Sequence, residues 1–75
     1  MSTTSTIELS NKQAGYLIGK GGETIKKIRK SANCHVKVEE VENEPDLRYM
    51  TLSGNVLQVT LAERLIIDII QDSFM

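Results

Sequence analysis

A chain of 75 residues, 40% hydrophobic and 25% charged, has the makeup of one small folded domain and excludes both a disordered segment and a multi-domain protein. Its single cysteine cannot form an internal disulfide, and no apolar run reaches the roughly 18 residues that span a bilayer. The net charge of −1 conceals a division: seven bases against the lone acid Glu23 between Lys12 and Lys37, then five acids and no base between Val38 and Asp46. The first stretch suits an anionic partner.

The start, MSTTSTIELS, lacks the charged and apolar regions of a secretory signal. That fits an intracellular protein, nuclear or cytoplasmic, and fits equally a segment of a longer chain. Residues 1–4 are expected to be flexible, with an ordered core over about 5–73. In TSTIEL, Ile7 and Leu9 share one face of a short strand. Ser10 or Asn11 then offers an N-cap to a short helix that stops at Gly19. After an open glycine stretch, ETIKKIRKSAN restarts as a helix with Ile25, Ile28 and Ala32 on one stripe and Glu23 placed to pair with Lys27. CHVKVEEV alternates, Val36 and Val38 to one face and His35, Lys37 and Glu39 to the other. ENEPDL, with the only proline, reads as an exposed loop. RYMTL is a third strand with Met50 and Leu52 inward, closed by SGN. VLQVTLAERLIIDIIQDSF is a long final helix whose buried stripe runs through Val59, Ala62, Ile66, Ile69 and Ile70.

The chemistry concentrates in IGKGGETI. A P-loop needs four residues between its first glycine and the Gly-Lys pair; Gly15 to Gly19 leaves three, and Gly21 stands where a hydroxyl residue should bind magnesium. A dinucleotide fingerprint begun at Gly19 would need a glycine in place of Thr24 and a strand before it. What remains is G-x-x-G, Gly19-Lys20-Gly21-Gly22, joining two helices. Bare backbone of this kind lets a phosphate approach peptide N–H groups. The alternative is a plain helix–helix turn.

With its flanking elements, YLIGKGGETIKKIRKSANCHVKV resembles the signature of the K-homology (KH) domain, over nearly the whole chain. Through G-x-x-I-G-x-x-G from Gly15, Arg29 and Arg48, it is most similar to the poly(C)-binding and heterogeneous nuclear ribonucleoprotein K group. The resemblance implies an α+β fold of type I order, β-α-α-β-β-α, with a three-stranded antiparallel sheet packed on three helices. It also implies a groove that holds about four nucleotides of single-stranded RNA or DNA. Gly19, Lys20, Gly21 and Gly22 would hold the sugar-phosphate backbone. The base groove would include Gly15, Tyr16, Ile18, Ile25, Arg29, Val36, Lys37, Val38 and Arg48. Ile18, Ile25 and Val38 would form an apolar floor, and the strand edge at Val36–Val38 would read the bases. Arg29 and Arg48 would donate to cytosine, giving a pyrimidine or C-rich preference and a role in mRNA regulation.

Other residues have plainer readings. Tyr16 sits at the groove rim or packs on the domain, His35 faces solvent, and Cys34 is a small buried residue. There is no catalytic constellation and no metal-ligand spacing, so neither an enzyme nor a cofactor is expected. The alternative function is a protein-interaction module. Leu57 and Leu61 on the polar side of the last helix point to a homodimer or an interdomain contact. No membrane partner is expected.

Overall fold

The computed structural model describes residues 2–72. Its elements are β1 (Thr3–Ser10), α1 (Asn11–Ile18), a 3-10 turn (Lys20–Gly22), α2 (Glu23–Ala32), β2 (His35–Val41), β3 (Glu44–Gly54) and α3 (Val56–Asp72). The sheet is antiparallel with order β1-β3-β2, so β3 is central and both β1 and β2 keep a free edge. This is the type I arrangement expected from the resemblance.

The boundaries follow from local chemistry. Ser10 is the N-cap of α1: its Oγ accepts from the Gln13 N–H at 3.1 Å while Gln13 Oε1 accepts from the Ser10 N–H at 3.0 Å, a reciprocal capping box. Asn55 and Gln58 make the same exchange at the start of α3, at 2.8 and 2.9 Å. α2 ends one residue before the expected Asn33, which adopts the left-handed conformation as its C-cap.

Alternation then fixes the layers. Leu9 of β1, Val36 of β2 and Met50 and Leu52 of β3 are buried on one sheet face. Against them pack Ala14 and Leu17 of α1, Ile25, Ile28 and Ala32 of α2, and Val59, Ala62 and Ile66 of α3. Ile69 and Ile70 continue the α3 stripe but are only partly buried.

Three expectations require correction. β1 begins at Thr3, one residue before the start of the expected TSTIEL strand, and ends one residue later, at Ser10; Thr3 pairs with Gly54 and Thr4 with Ser53. The expected loop over residues 42–47 contracts to a turn at Glu42–Asn43, with Asn43 at φ 66°. Pro45 is tolerated in β3 because the β2–β3 register shifts there, from Glu40↔Arg48 to Val41↔Glu44, and frees it from ladder donation. Third, no ion pair joins Glu23 to Lys27; the pairs among the described residues are Lys37–Glu39 and Arg48–Glu40. The expected end of the last helix, residues 73 and 74, lies outside the described residues.

Candidate nucleic-acid interface

The α1–α2 connection is built from backbone. Gly19, Gly21 and Gly22 all have positive φ, at 74°, 63° and 78°. Gly19 combines its φ with ψ 175°, a region open essentially to glycine alone. Space as well as torsion demands the glycine: a Cβ there would strike Thr24 Oγ1 and come within 2.8 Å of Thr24 Cβ and 3.0 Å of the Thr24 backbone N. The turn is tied by Gly19 N–H to Gly15 O at 2.9 Å and Gly22 N–H to Gly19 O at 3.2 Å. Gly22 in turn is the N-cap of α2 and brings no side-chain cap. The Glu23 N–H donates to the Lys20 carbonyl, and the next N–H groups of α2 lack a side-chain acceptor at the positive end of the helix dipole, beside exposed Lys20 and Gly21.

The facing wall is β2. Val36, Val38 and Glu40 point to the helix side of the sheet, opposite Leu52, Met50 and Arg48 in register. Arg29, one turn beyond Ile25 on α2, reaches across to this strand. Its Nε and Nη2 donate to the Val36 carbonyl at 3.0 and 2.8 Å. That carbonyl lies on the free edge, so by antiparallel alternation the N–H and C=O of Val38 face the same open side. A guanidinium has five N–H donors; those of Nη1 and the second of Nη2 remain after the fork is pinned. Arg29 is therefore a preoriented donor at a strand edge that offers further backbone groups. The Val36 carbonyl, expected to read bases, is already engaged by Arg29.

Between the walls, Ile25 is buried, while Ile18 and Val38 are half-buried and present partial apolar surface. Gly15 is exposed and Tyr16 half-buried on α1. Arg48 stands at the far end, on the helix side of β3, with its Nε donating to Asn11 Oδ1 at 2.9 Å and its Nη1 3.5 Å from Glu40 Oε1. Asn11 Nδ2 donates in turn to the Pro45 carbonyl. Lys37 does not join the group. It shares the opposite sheet face with His35 and Glu39, and its ammonium lies 3.9 Å from Glu39; strand alternation carries its side chain away from the groove.

Sequence reasoning missed Thr24, which makes Gly19 irreplaceable, and Asn11, which clamps Arg48. The i+5 spacing of Gly19 and Thr24 belongs to no standard turn pattern, and Asn11 meets Arg48 across 37 positions of chain. Cys34 is buried with its thiol toward the Ser53 carbonyl at 3.3 Å. Desolvation pushes that thiol above its ordinary value.

The fold and site together define a small α+β module with a glycine-linked helix pair set against a free strand edge. Residues 4–68 match the KH domain family model, and the chain belongs to that family. It superposes on the solution structure of the first KH type I domain of human vigilin with a TM-score of 0.81 at 12% identity, covering 99% of this chain and 77% of that one. It is 29% identical over 69 residues to zinc finger CCCH domain-containing protein 36 of Arabidopsis thaliana, covering 92% of this chain and 28% of that protein. It is 36% identical over 61 residues to the RNA-binding protein rnc1 of Schizosaccharomyces pombe, covering 81% and 15% respectively. The chain thus spans less than a third of the length of these curated relatives.

Proposed function

We propose that this domain binds single-stranded RNA, or single-stranded DNA, by clamping about four nucleotides between the glycine turn and β2. The observation that carries the reading is the opposition of two kinds of donor. First-turn N–H groups of α2 beyond Glu23, which have no side-chain cap, suit phosphate beside Lys20; the pinned Arg29 fork and the Val38 backbone suit base edges. The wall supplies position and the strand edge supplies selection. A guanidinium donates and cannot accept, so it favours bases rich in acceptors on the exposed edge. With Arg48, this supports a preference for C-rich or pyrimidine sequences, as in the poly(C)-binding group. The proposed setting is an intracellular ribonucleoprotein acting on mRNA, and the proposed role is binding without catalysis.

Fluorescence anisotropy with C-rich, U-rich and A-rich RNAs tests this, comparing the native domain with the Lys20→Asp/Gly21→Asp variant. Preference for C-rich RNA, abolished in the variant, is expected. Binding indifferent to the loop refutes the assignment.

A second reading rests on α3. Val56, Leu57 and Leu61 are 62%, 81% and 46% exposed, an apolar strip suited to self-association or an interdomain contact. Sedimentation at high concentration should then show a dimer that Leu61→Glu dissociates. A monomer unchanged by that substitution removes self-association.

A further inference from the structure

The outer face of α2 carries charge that the groove does not use. At about 100° per residue, Arg29 lies about 40° from buried Ile25, Lys26 about 100°, Lys30 about 140° and Lys27 about 200°. These four cations share one arc, with the exposed Glu23 at about 160° between Lys30 and Lys27. The arc starts at the groove with Arg29 and passes round the helix until Thr24 and Ser31 meet α3. Lys26, Lys27 and Lys30 are exposed, and no ion pair among the described residues engages any of them. Together with Glu23 and Thr24 they line an open depression of about 340 Å³. A second surface has the reverse sign. Glu40, Glu42, Glu44 and Asp46 cluster at the β2–β3 hairpin, where a second phosphate tract would be repelled.

We propose that Lys26, Lys30 and Lys27 form an extension of the nucleic-acid site, holding the sugar-phosphate backbone of nucleotides that leave the groove on the α2 side. The inference rests on the groove reading above and adds a property to it: the domain favours strands longer than its core, in one direction only. Three unpaired ammonium groups on one face release counterions when a flexible polyanion lies across them, and they place no demand on base identity. The acidic hairpin denies the other flank the same gain.

The test uses three RNAs: the preferred core tetranucleotide, the same core with six uridines added on its 5′ side, and the same core with six added on its 3′ side. Each is titrated against the native domain and against the Lys26→Gln/Lys27→Gln/Lys30→Gln variant. One extension, and only one, should raise affinity, and the variant should lose that gain while binding the bare core as before. Three phosphate contacts at about −0.7 each in log–log slope shrink the native advantage roughly 20-fold between 50 and 200 mM salt. Equal gains from both extensions, or a gain that survives in the variant, overturns the proposal and leaves the groove reading intact. Failure of every oligonucleotide to bind overturns both. Unchanged core affinity in the variant shows that it is folded.

Discussion

Replacing Gly19 by alanine should be the most damaging single-methyl change in the glycine turn, and the reason is geometric. At φ 74° and ψ 175°, an L-residue carries backbone strain of about 1–3 kcal/mol. The new Cβ also meets Thr24 at its Oγ1, at its Cβ at 2.8 Å and at its backbone N at 3.0 Å. Thr24 cannot step aside, because a β-branched side chain in a helix has few rotamers and its N–H belongs to the first turn of α2. Strain and collision together should cost about 3 kcal/mol, a large share of the roughly 4–11 kcal/mol that a domain of this size has. At about 4–8 °C per kcal/mol, the melting temperature should fall by about 12–24 °C. Gly21→Ala is the matched control. Gly21 is also left-handed, but a Cβ there meets nothing within 4 Å, so the cost should stay near about 1–2 kcal/mol. Thermal unfolding followed by far-ultraviolet circular dichroism separates the two. Melting of Gly19→Ala within a few degrees of Gly21→Ala would refute the reasoning, since it would mean that Thr24 does not constrain the turn.

Gly15→Ala should act in the opposite sense on stability, gaining about 0.5–1 kcal/mol because a helical Cβ there meets nothing within 4 Å. RNA binding should weaken nonetheless if the nucleotide backbone passes close to Gly15, and unchanged affinity would place that residue outside the groove. Arg29→Lys loses the planar fork that Val36 orients. Discrimination between C-rich and A-rich RNA should fall about tenfold, the lower part of the range for a bidentate contact; equal discrimination would show that Arg29 only braces β2. For Cys34, burial raises the folded thiol's pKa above its unfolded value. The protonated thiol's contribution to stability is present in full below the unfolded value and is lost as pH rises through the folded one. Urea midpoints of the native domain should therefore decline through the alkaline range more steeply than those of Cys34→Ala, and parallel declines would exclude the thiol as the cause.

Much of the architecture was legible because it follows from periodicity and capping. The Ile25, Ile28 and Ala32 stripe, the Val36 and Val38 alternation and the Ser10 cap each depend on neighbours within a few residues. The failures mark where distant chain decides. Pro45 and five nearby acids suggested a long loop, but the shifted β2–β3 register admits proline within a strand. Glu23 and Lys27 have the spacing of an ion pair but remain apart, as exposed helical pairs gain little from closing. For the site, the glycine residues were visible through their spacing, and Arg29 through its place at the margin of the buried stripe. The Val36 carbonyl as its anchor was not, because a strand's pattern does not say which carbonyls face a free edge until its sheet partners are known. Lys37 was gathered into the groove by its position between two groove valines, although the same alternation that turns them to the helix side of the sheet sends it to the other face.

The sheet order has a consequence for how binding competence arises. β1 and β2 are not paired with each other; within the sheet each pairs with β3 alone, and β1 pairs with β3 across about 50 positions of chain, Thr3 with Gly54. The glycine turn, by contrast, closes through contacts a few residues apart, Gly15 with Gly19 and Gly19 with Gly22. During folding both the glycine turn and the β2–β3 hairpin, which turns at Glu42–Asn43, can form early, while β1 waits for the slowest pairing in the domain. Both walls of the proposed groove are therefore closed by local contacts, and the long-range pairing that completes the sheet lies on the strand away from it.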